Sequence, residues 1–215
     1  MLNTSIKALV LLVVTLFVSA CGETTTPAAK GAPQLGKHFT ALDNDLSAFN
    51  LSPITEVFSL TCGHCKNMEQ HLPKIEQLTN QKVGKVHVTF NDSAQVSAMF
   101  YYAAEMQLNS KPDSNMLAEL FDTIQQRDIA MEDRKDRLQK IYTSRGLISP
   151  YDLTELQSQE MLNKVNEAAD FTEQAKIQAV PSFIIKGKYL LNTEEHENID
   201  QLADTINYIL AQASL

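Results

Sequence analysis

Two cysteines spaced by two residues, Cys62-Gly63-His64-Cys65, stand where an apolar, partly β-branched run gives way to a helical pattern. The run is Ile54-Thr55-Glu56-Val57-Phe58-Ser59-Leu60. After the cysteines, Met68, Leu72, Ile75 and Leu78 recur on one helical face. Such a chain must turn a buried strand straight into a helix, with Cys62 at the helix start. That end of a helix carries partial positive charge and unpaired N–H groups, and both favour a thiolate. The thiolate is the nucleophile of disulfide exchange, and a Cys-x-x-Cys at a helix start is where its pKa falls. His64 adds positive charge beside the first sulfur. The segment reads as a site for thiol–disulfide exchange.

Two other uses of the pair fit less well. Zinc needs four ligands. The only other cysteine is Cys21, and there is no second Cys-x-x-Cys and no His-x-x-x-His. A structural bridge closing so short a loop stabilises little on loop-entropy grounds. Other chemistries lack their motifs: there is no complete GxGxxG, P-loop, HExxH, GxSxG or EF-hand pattern. The sequence therefore calls for no metal and no cofactor. A net charge of −8 with no basic run argues against nucleic acid as a partner.

Residues 1–20 read as a signal peptide. Lys7 is the only charge before Cys21, and Ala8 to Val18 is an apolar run too short to span a bilayer. The run ends in Val18-Ser19-Ala20-Cys21, which resembles a bacterial lipobox. That resemblance implies cleavage before Cys21 and lipidation at Cys21; plain secretion with a free Cys21 thiol is the alternative. Gly22, rather than Asp, is similar to the pattern of lipoproteins sorted to the outer membrane. Residues 21–36, small, polar and rich in Pro and Gly, read as a lipid-anchored flexible tether. The exported compartment is oxidising, so disulfides form and persist there.

The processed chain of about 195 residues is long enough for one domain with an insertion. Residues 37–42, 54–60 and 83–90 read as strands, and residues 63–79 as one helix kinked at Pro73. Strand, helix and strand make a βαβ unit. The middle is helical, with Val96, Met99, Phe100, Ala103 and Ala104 on one face and Leu117, Leu120, Phe121 and Ile124 on another. The Met99–Tyr102 cluster reads as core. Gly146 suits a helix C-cap, and Ser149-Pro150 suits the start of the next helix. Val180 to Ile185 and Tyr189 to Leu191 then read as a hairpin turning at Lys186-Gly187-Lys188, followed by an amphipathic helix from Ile199 to Leu210. The fold class is α/β. Residues 37–92 and 177–215 form one unit, and residues 93–176 form an inserted helical domain.

With Cys-Gly-His-Cys at a strand–helix junction and Val180-Pro181 before a late hairpin, the chain resembles the thioredoxin superfamily. With its helical insertion it is similar to the DsbA family of bacterial thiol:disulfide oxidoreductases, from about Ile54 to the C-terminus. The resemblance rests on Val57-Phe58-Ser59, Lys85-Val86-His87-Val88-Thr89-Phe90 and Val180-Pro181-Ser182-Phe183. It implies a thioredoxin fold, with Cys62 as exposed nucleophile and Cys65 as resolving thiol, paired in a redox-active disulfide. It further implies that His64 stabilises the thiolate and that Pro181 is a cis-proline facing the site. Val180 would offer backbone hydrogen bonds to a bound peptide, and Glu56 and Lys85 would form a buried acid–base pair that tunes the thiols. His87 reads as a packed, hydrogen-bonded histidine. The chain departs from the family at Gly63, where Pro is familiar, and at Thr61, where an aromatic residue is common. The implied function is oxidation of reduced, unfolded exported proteins in the periplasm, with a DsbB-type membrane oxidase restoring the disulfide. A disulfide isomerase or reductase, and a non-catalytic peptide-binding module, remain alternatives.

Overall fold

In a computed structural model, residues 31–212 are described. The signal segment, Cys21 and the tether up to residue 30 lie outside them. Strand β2 (Ile54–Phe58) is buried along its whole length, which is why it reads as a continuous run rather than an alternating one. It pairs in parallel with β3 (Val83–His87), which sets Glu56 opposite Lys85 and Phe58 opposite His87. On its other side it pairs antiparallel with β4 (Ser182–Ile185). Strand β5 (Tyr189–Leu191) pairs antiparallel with β4, and β1 (Phe39–Ala41) pairs antiparallel with β5. The sheet order is β1-β5-β4-β2-β3.

Between β2 and β3 the sequence pattern reads as one kinked helix, but the chain forms two. Helix α1 (Gly63–Met68) stops, and α2 (Leu72–Thr79) begins with Pro73 in its first turn. A proline deep in an unbroken helix would lose a hydrogen bond and clash with the carbonyl four residues back. In a first turn its missing N–H is not needed.

The helical insertion lies between β3 and β4. It comprises α3 (Asp92–Leu108), α4 (Ser114–Gln125), α5 (Met131–Thr143) and α6 (Glu155–Gln174). Asn91 and Asp113 cap α3 and α4 by accepting N–H groups of the first turns. Gly146 adopts a positive φ of 70° just beyond α5. The start of α6 differs from the Ser149-Pro150 expectation. Ser149 instead closes a turn by accepting the N–H of Asp152, and Thr154 with Gln157 forms the capping box.

Helix α7 (Ile199–Ala211) closes the fold. Its Leu202, Ile206 and Ile209 share a core with Leu72 and Ile75 of α2 and with Ile54, Phe183 and Ile185 of the sheet. A second core joins Phe58, Leu60 and Cys65 to Tyr101, Leu120, Phe121 and Tyr142. Phe100, Tyr101 and Tyr102 are buried there. The pair Cys62 and Cys65 thus sits where the sheet meets the inserted helices.

Candidate active site

Strand β2 ends at Phe58, and the turn Ser59–Thr61 delivers Cys62 to the N-cap of α1. Cys62 is half-buried and Cys65 is buried, and both thiols are free. The backbone of Cys62 is extended (φ −90°, ψ 117°), which aims its sulfur back at the helix. Sγ accepts the backbone N–H of Cys65 at 3.2 Å. The Cys62 thiol also lies 3.4 Å from the carbonyl oxygen of Val180, and the Val180-Pro181 peptide is cis.

The two thiols are chemically unequal. The pKa of Cys62 is lowered to about 6. The largest cause is the hydrogen bond from the Cys65 thiol; the backbone N–H groups of Cys65 and His64 and the charge of His64 add to it, against partial burial. His64 itself is exposed. Cys65 is pushed the other way, by its bond to Cys62 and by burial.

The turn before Cys62 is held from outside. The N–H of Leu60 donates to Nε2 of His87 at 2.8 Å, and Nδ1 of His87 donates to the carbonyl of Val88 at 2.7 Å. These bonds assign the neutral imidazole. Burial agrees with them, lowering the His87 pKa to about 3. The side-chain amide of Gln125 donates to the carbonyls of Leu60 at 2.9 Å and Cys62 at 3.0 Å. Gln125 carries no sequence signal, because a glutamine in the last turn of an amphipathic helix reads as solvated.

Beneath the site the expected pair is a triad. The Lys85 ammonium bonds Oε2 of Glu56 and Oε1 of Glu69, and the Lys85 and Glu56 side chains are fully enclosed. It also lies 4.4 Å over the Phe58 ring. Two carboxylates share one lysine, so a buried negative charge is left over. Burial, with help from Glu69, raises the Glu56 pKa to about 7 despite Lys85, and the two carboxylates raise that of Lys85 against its burial. Oε1 of Glu56 has no hydrogen-bond partner among the described residues, and the charge of Glu56 acts on Cys65. Sequence reasoning misses Glu69, which caps the C-terminal end of α1 one turn after the buried Cys65.

Residues 51–207 match the family described as thioredoxin, and the chain belongs to that family. Among curated proteins it is similar to the thiol:disulfide interchange protein DsbA of Haemophilus influenzae, 26% identical over 181 residues, covering 82% of this chain and 85% of the relative. Among solved structures it is similar to the oxidoreductase DsbA from Xylella fastidiosa, with a TM-score of 0.64 and 15% identity over 83% of this chain and 96% of that one. It is also similar to DsbA from Proteus mirabilis, with a TM-score of 0.62 and 17% identity over 86% of this chain and 100% of that one. A variant of the Proteus protein solved with a non-covalently bound peptide matches with a TM-score of 0.60 and 17% identity, over 84% of this chain and 99% of that one. With this fold, this dithiol and these relatives, the protein is a thiol:disulfide oxidoreductase of DsbA type.

Proposed function

We propose that the protein introduces disulfides into reduced, unfolded exported proteins, with Cys62 as nucleophile and Cys65 as resolving thiol. The observation that carries this reading is the inequality of the two thiols: one sulfur held as an anion at the helix start, the other buried and kept protonated. A client thiolate attacks Sγ of Cys62 in the oxidised enzyme. The Cys62–Cys65 bond breaks, Cys65 leaves and takes a proton, and Cys62 joins the client in a mixed disulfide. Glu56, which holds a proton near neutral pH and acts on Cys65, is the nearby group suited to supply it. A second client thiolate then attacks the client sulfur, and Cys62 departs as a stabilised thiolate. The client has lost two electrons and the enzyme has gained them.

The carbonyl of Val180 beside Cys62 supports a client strand lying along the Val180-Pro181 segment. Reoxidation by a DsbB-type membrane oxidase and anchoring through lipidated Cys21, at the outer membrane facing the periplasm, complete the proposal. Among the described residues no helix is long and apolar enough to cross a membrane.

Trapping tests the central step. Cys65→Ser should accumulate mixed disulfides with exported proteins on non-reducing gels, and Cys62→Ser should accumulate none. Equal adducts in both would favour a peptide-binding module without redox chemistry. Cys21→Ser should move the protein from the membrane to the soluble fraction; a wild type already soluble after processing would remove the anchor.

A further inference from the structure

We propose that Gln125 is a positioning residue for Cys62, through which the inserted helices set the acidity of the nucleophile. The inference rests on Cys62 being the nucleophile. The turn from Leu60 to Cys62 belongs neither to β2 nor to the body of α1, so its polar groups need partners from elsewhere. Leu60 gives its N–H to His87. No backbone N–H among the described residues is bonded to the Leu60 carbonyl; the Gln125 amide is bonded to it, at 2.9 Å. The same nitrogen reaches the Cys62 carbonyl at 3.0 Å, which also accepts the N–H of Lys66 at 3.1 Å.

One NH2 group with two hydrogens therefore holds the carbonyls on either side of Thr61. The peptide plane between them is held by the Cys62 N–H, which donates to the Ser59 carbonyl at 3.0 Å. Together these bonds fix the extended backbone of Cys62, and that backbone aims Sγ at the N–H of Cys65. Gln125 is the last residue of α4, and one turn earlier Asp122 pairs with Lys66 of α1 at 2.5 Å. Helix α4 thus grips the active-site helix by its side and the active-site turn by its carbonyls. Without the amide, the carbonyl of the buried Leu60 loses its partner, and the turn, already exposed at Thr61, relaxes toward water. The alignment of Sγ with its N–H donor degrades, and a thiolate that loses a donor becomes more basic.

The test is the absorbance titration of the Cys62 thiolate, with the glutathione equilibrium, in wild type and three variants. Gln125→Met keeps the length and removes the donor. Its Cys62 pKa should rise by about one unit. At pH 8 its disulfide should become about tenfold harder to reduce, a change of about 30 mV. Gln125→Asn keeps a donor that cannot span both carbonyls, and should shift the same way by less; it carries the test if the Met variant does not fold. Asp122→Asn loosens α4 from Lys66 but leaves the amide, and should leave the titration unmoved. An unshifted thiolate in a folded Gln125 variant, beside a wild type that titrates low, overturns the inference alone. A shift in Asp122→Asn as large as in Gln125→Met overturns it too, in favour of general loosening. A wild-type Cys62 that titrates like an ordinary thiol overturns the active-site reading and this inference with it.

Discussion

The thiol of Cys62 lies 3.4 Å from the carbonyl oxygen of Val180, a residue 118 positions further along the chain. Strand β4 runs beside β2, so the segment entering β4 ends up beside the turn leaving β2. The same sulfur accepts the N–H of Cys65. A proton on Cys62 is directed at Val180, and a negative charge on Cys62 is directed at the helix. Losing the proton frees the Val180 carbonyl, while the bonds that stabilise the anion remain.

Alkylation should separate the two thiols. With its pKa lowered to about 6, Cys62 is substantially ionised near pH 6, whereas Cys65 stays protonated and is buried. Iodoacetamide on the reduced protein at pH 6 should label Cys62 first, by far, as read by peptide mass spectrometry. Preferential labelling of Cys65 would reverse the assigned roles.

Glu56 should impose a pH dependence of its own. Its folded-state pKa is raised to about 7, above an ordinary carboxyl near 4.3. The folded state therefore binds this proton more tightly than the unfolded state. The favourable contribution is complete below the unfolded pKa and is lost as pH rises through about 7, at up to about 1.4 kcal/mol per pH unit. Glu56→Gln removes that slope and leaves Lys85 its bond to Glu69. Denaturant titrations from pH 4 to 8 should show the variant gaining on wild type as pH rises. The variant should also oxidise a model peptide dithiol more slowly at neutral pH, if Glu56 supplies the proton to Cys65. An unchanged pH–rate profile would confine Glu56 to a structural role.

Much of this site is legible in the sequence because it depends on neighbours in the chain. The Cys62-to-Cys65 segment, the strand before it and the helix after it are local, and the hairpin after Pro181 announces itself by its turn residues. The Glu56–Lys85 pair is legible through the family resemblance, and the register of β2 and β3 sets the two residues opposite each other. Glu69 and Gln125 are not legible. Glu69, at the C-terminal end of α1, reaches Lys85 on β3, and a glutamate in that place carries no local signal of its partner. Gln125 reaches carbonyls 63 and 65 positions away, and helical periodicity says nothing about which residue of an insertion meets the site. The start of α6 misreads for a local reason: Ser149-Pro150 is an equally good turn, and the reciprocal bonds of Thr154 and Gln157 decide the competition.

His87 should make the fold sensitive to acid. Its folded-state pKa is lowered to about 3 by burial, while an unfolded histidine titrates near 6.5. The neutral ring contributes stability that is complete above the unfolded pKa and is lost as pH falls toward about 3. His87→Phe removes this slope but leaves the buried N–H of Leu60 without its acceptor, which costs about 1–3 kcal/mol. The variant should be less stable than wild type at pH 7.5, with the gap narrowing by pH 4.5. Parallel stability curves would show that His87 is not held neutral.

The redox state should set the melting temperature, and pH should set the size of the effect. The lowered pKa of Cys62 stabilises the reduced fold, because the folded state favours the thiolate. An unfolded thiol has a pKa near 8.5. This stabilisation is complete above that value and is lost as pH falls through about 6, where folded Cys62 takes up its proton. The disulfide form has no such group. Each pKa unit corresponds to about 1.4 kcal/mol, but the sulfur is half exposed and water screens part of it. A net 1 kcal/mol moves the melting point of a chain this size by about 2–4 °C. The reduced protein should therefore melt a few degrees above the oxidised protein at pH 8, and the gap should close by pH 5. His64→Ala should narrow the gap near pH 6.5, because the His64 charge favours the thiolate. Circular dichroism or calorimetry is the suitable readout, since the chain has no tryptophan. Energy that stabilises the dithiol makes the disulfide the stronger oxidant, by about 30 mV per 1.4 kcal/mol. An oxidised form clearly more stable than the reduced form at pH 8 would point instead to a reductant.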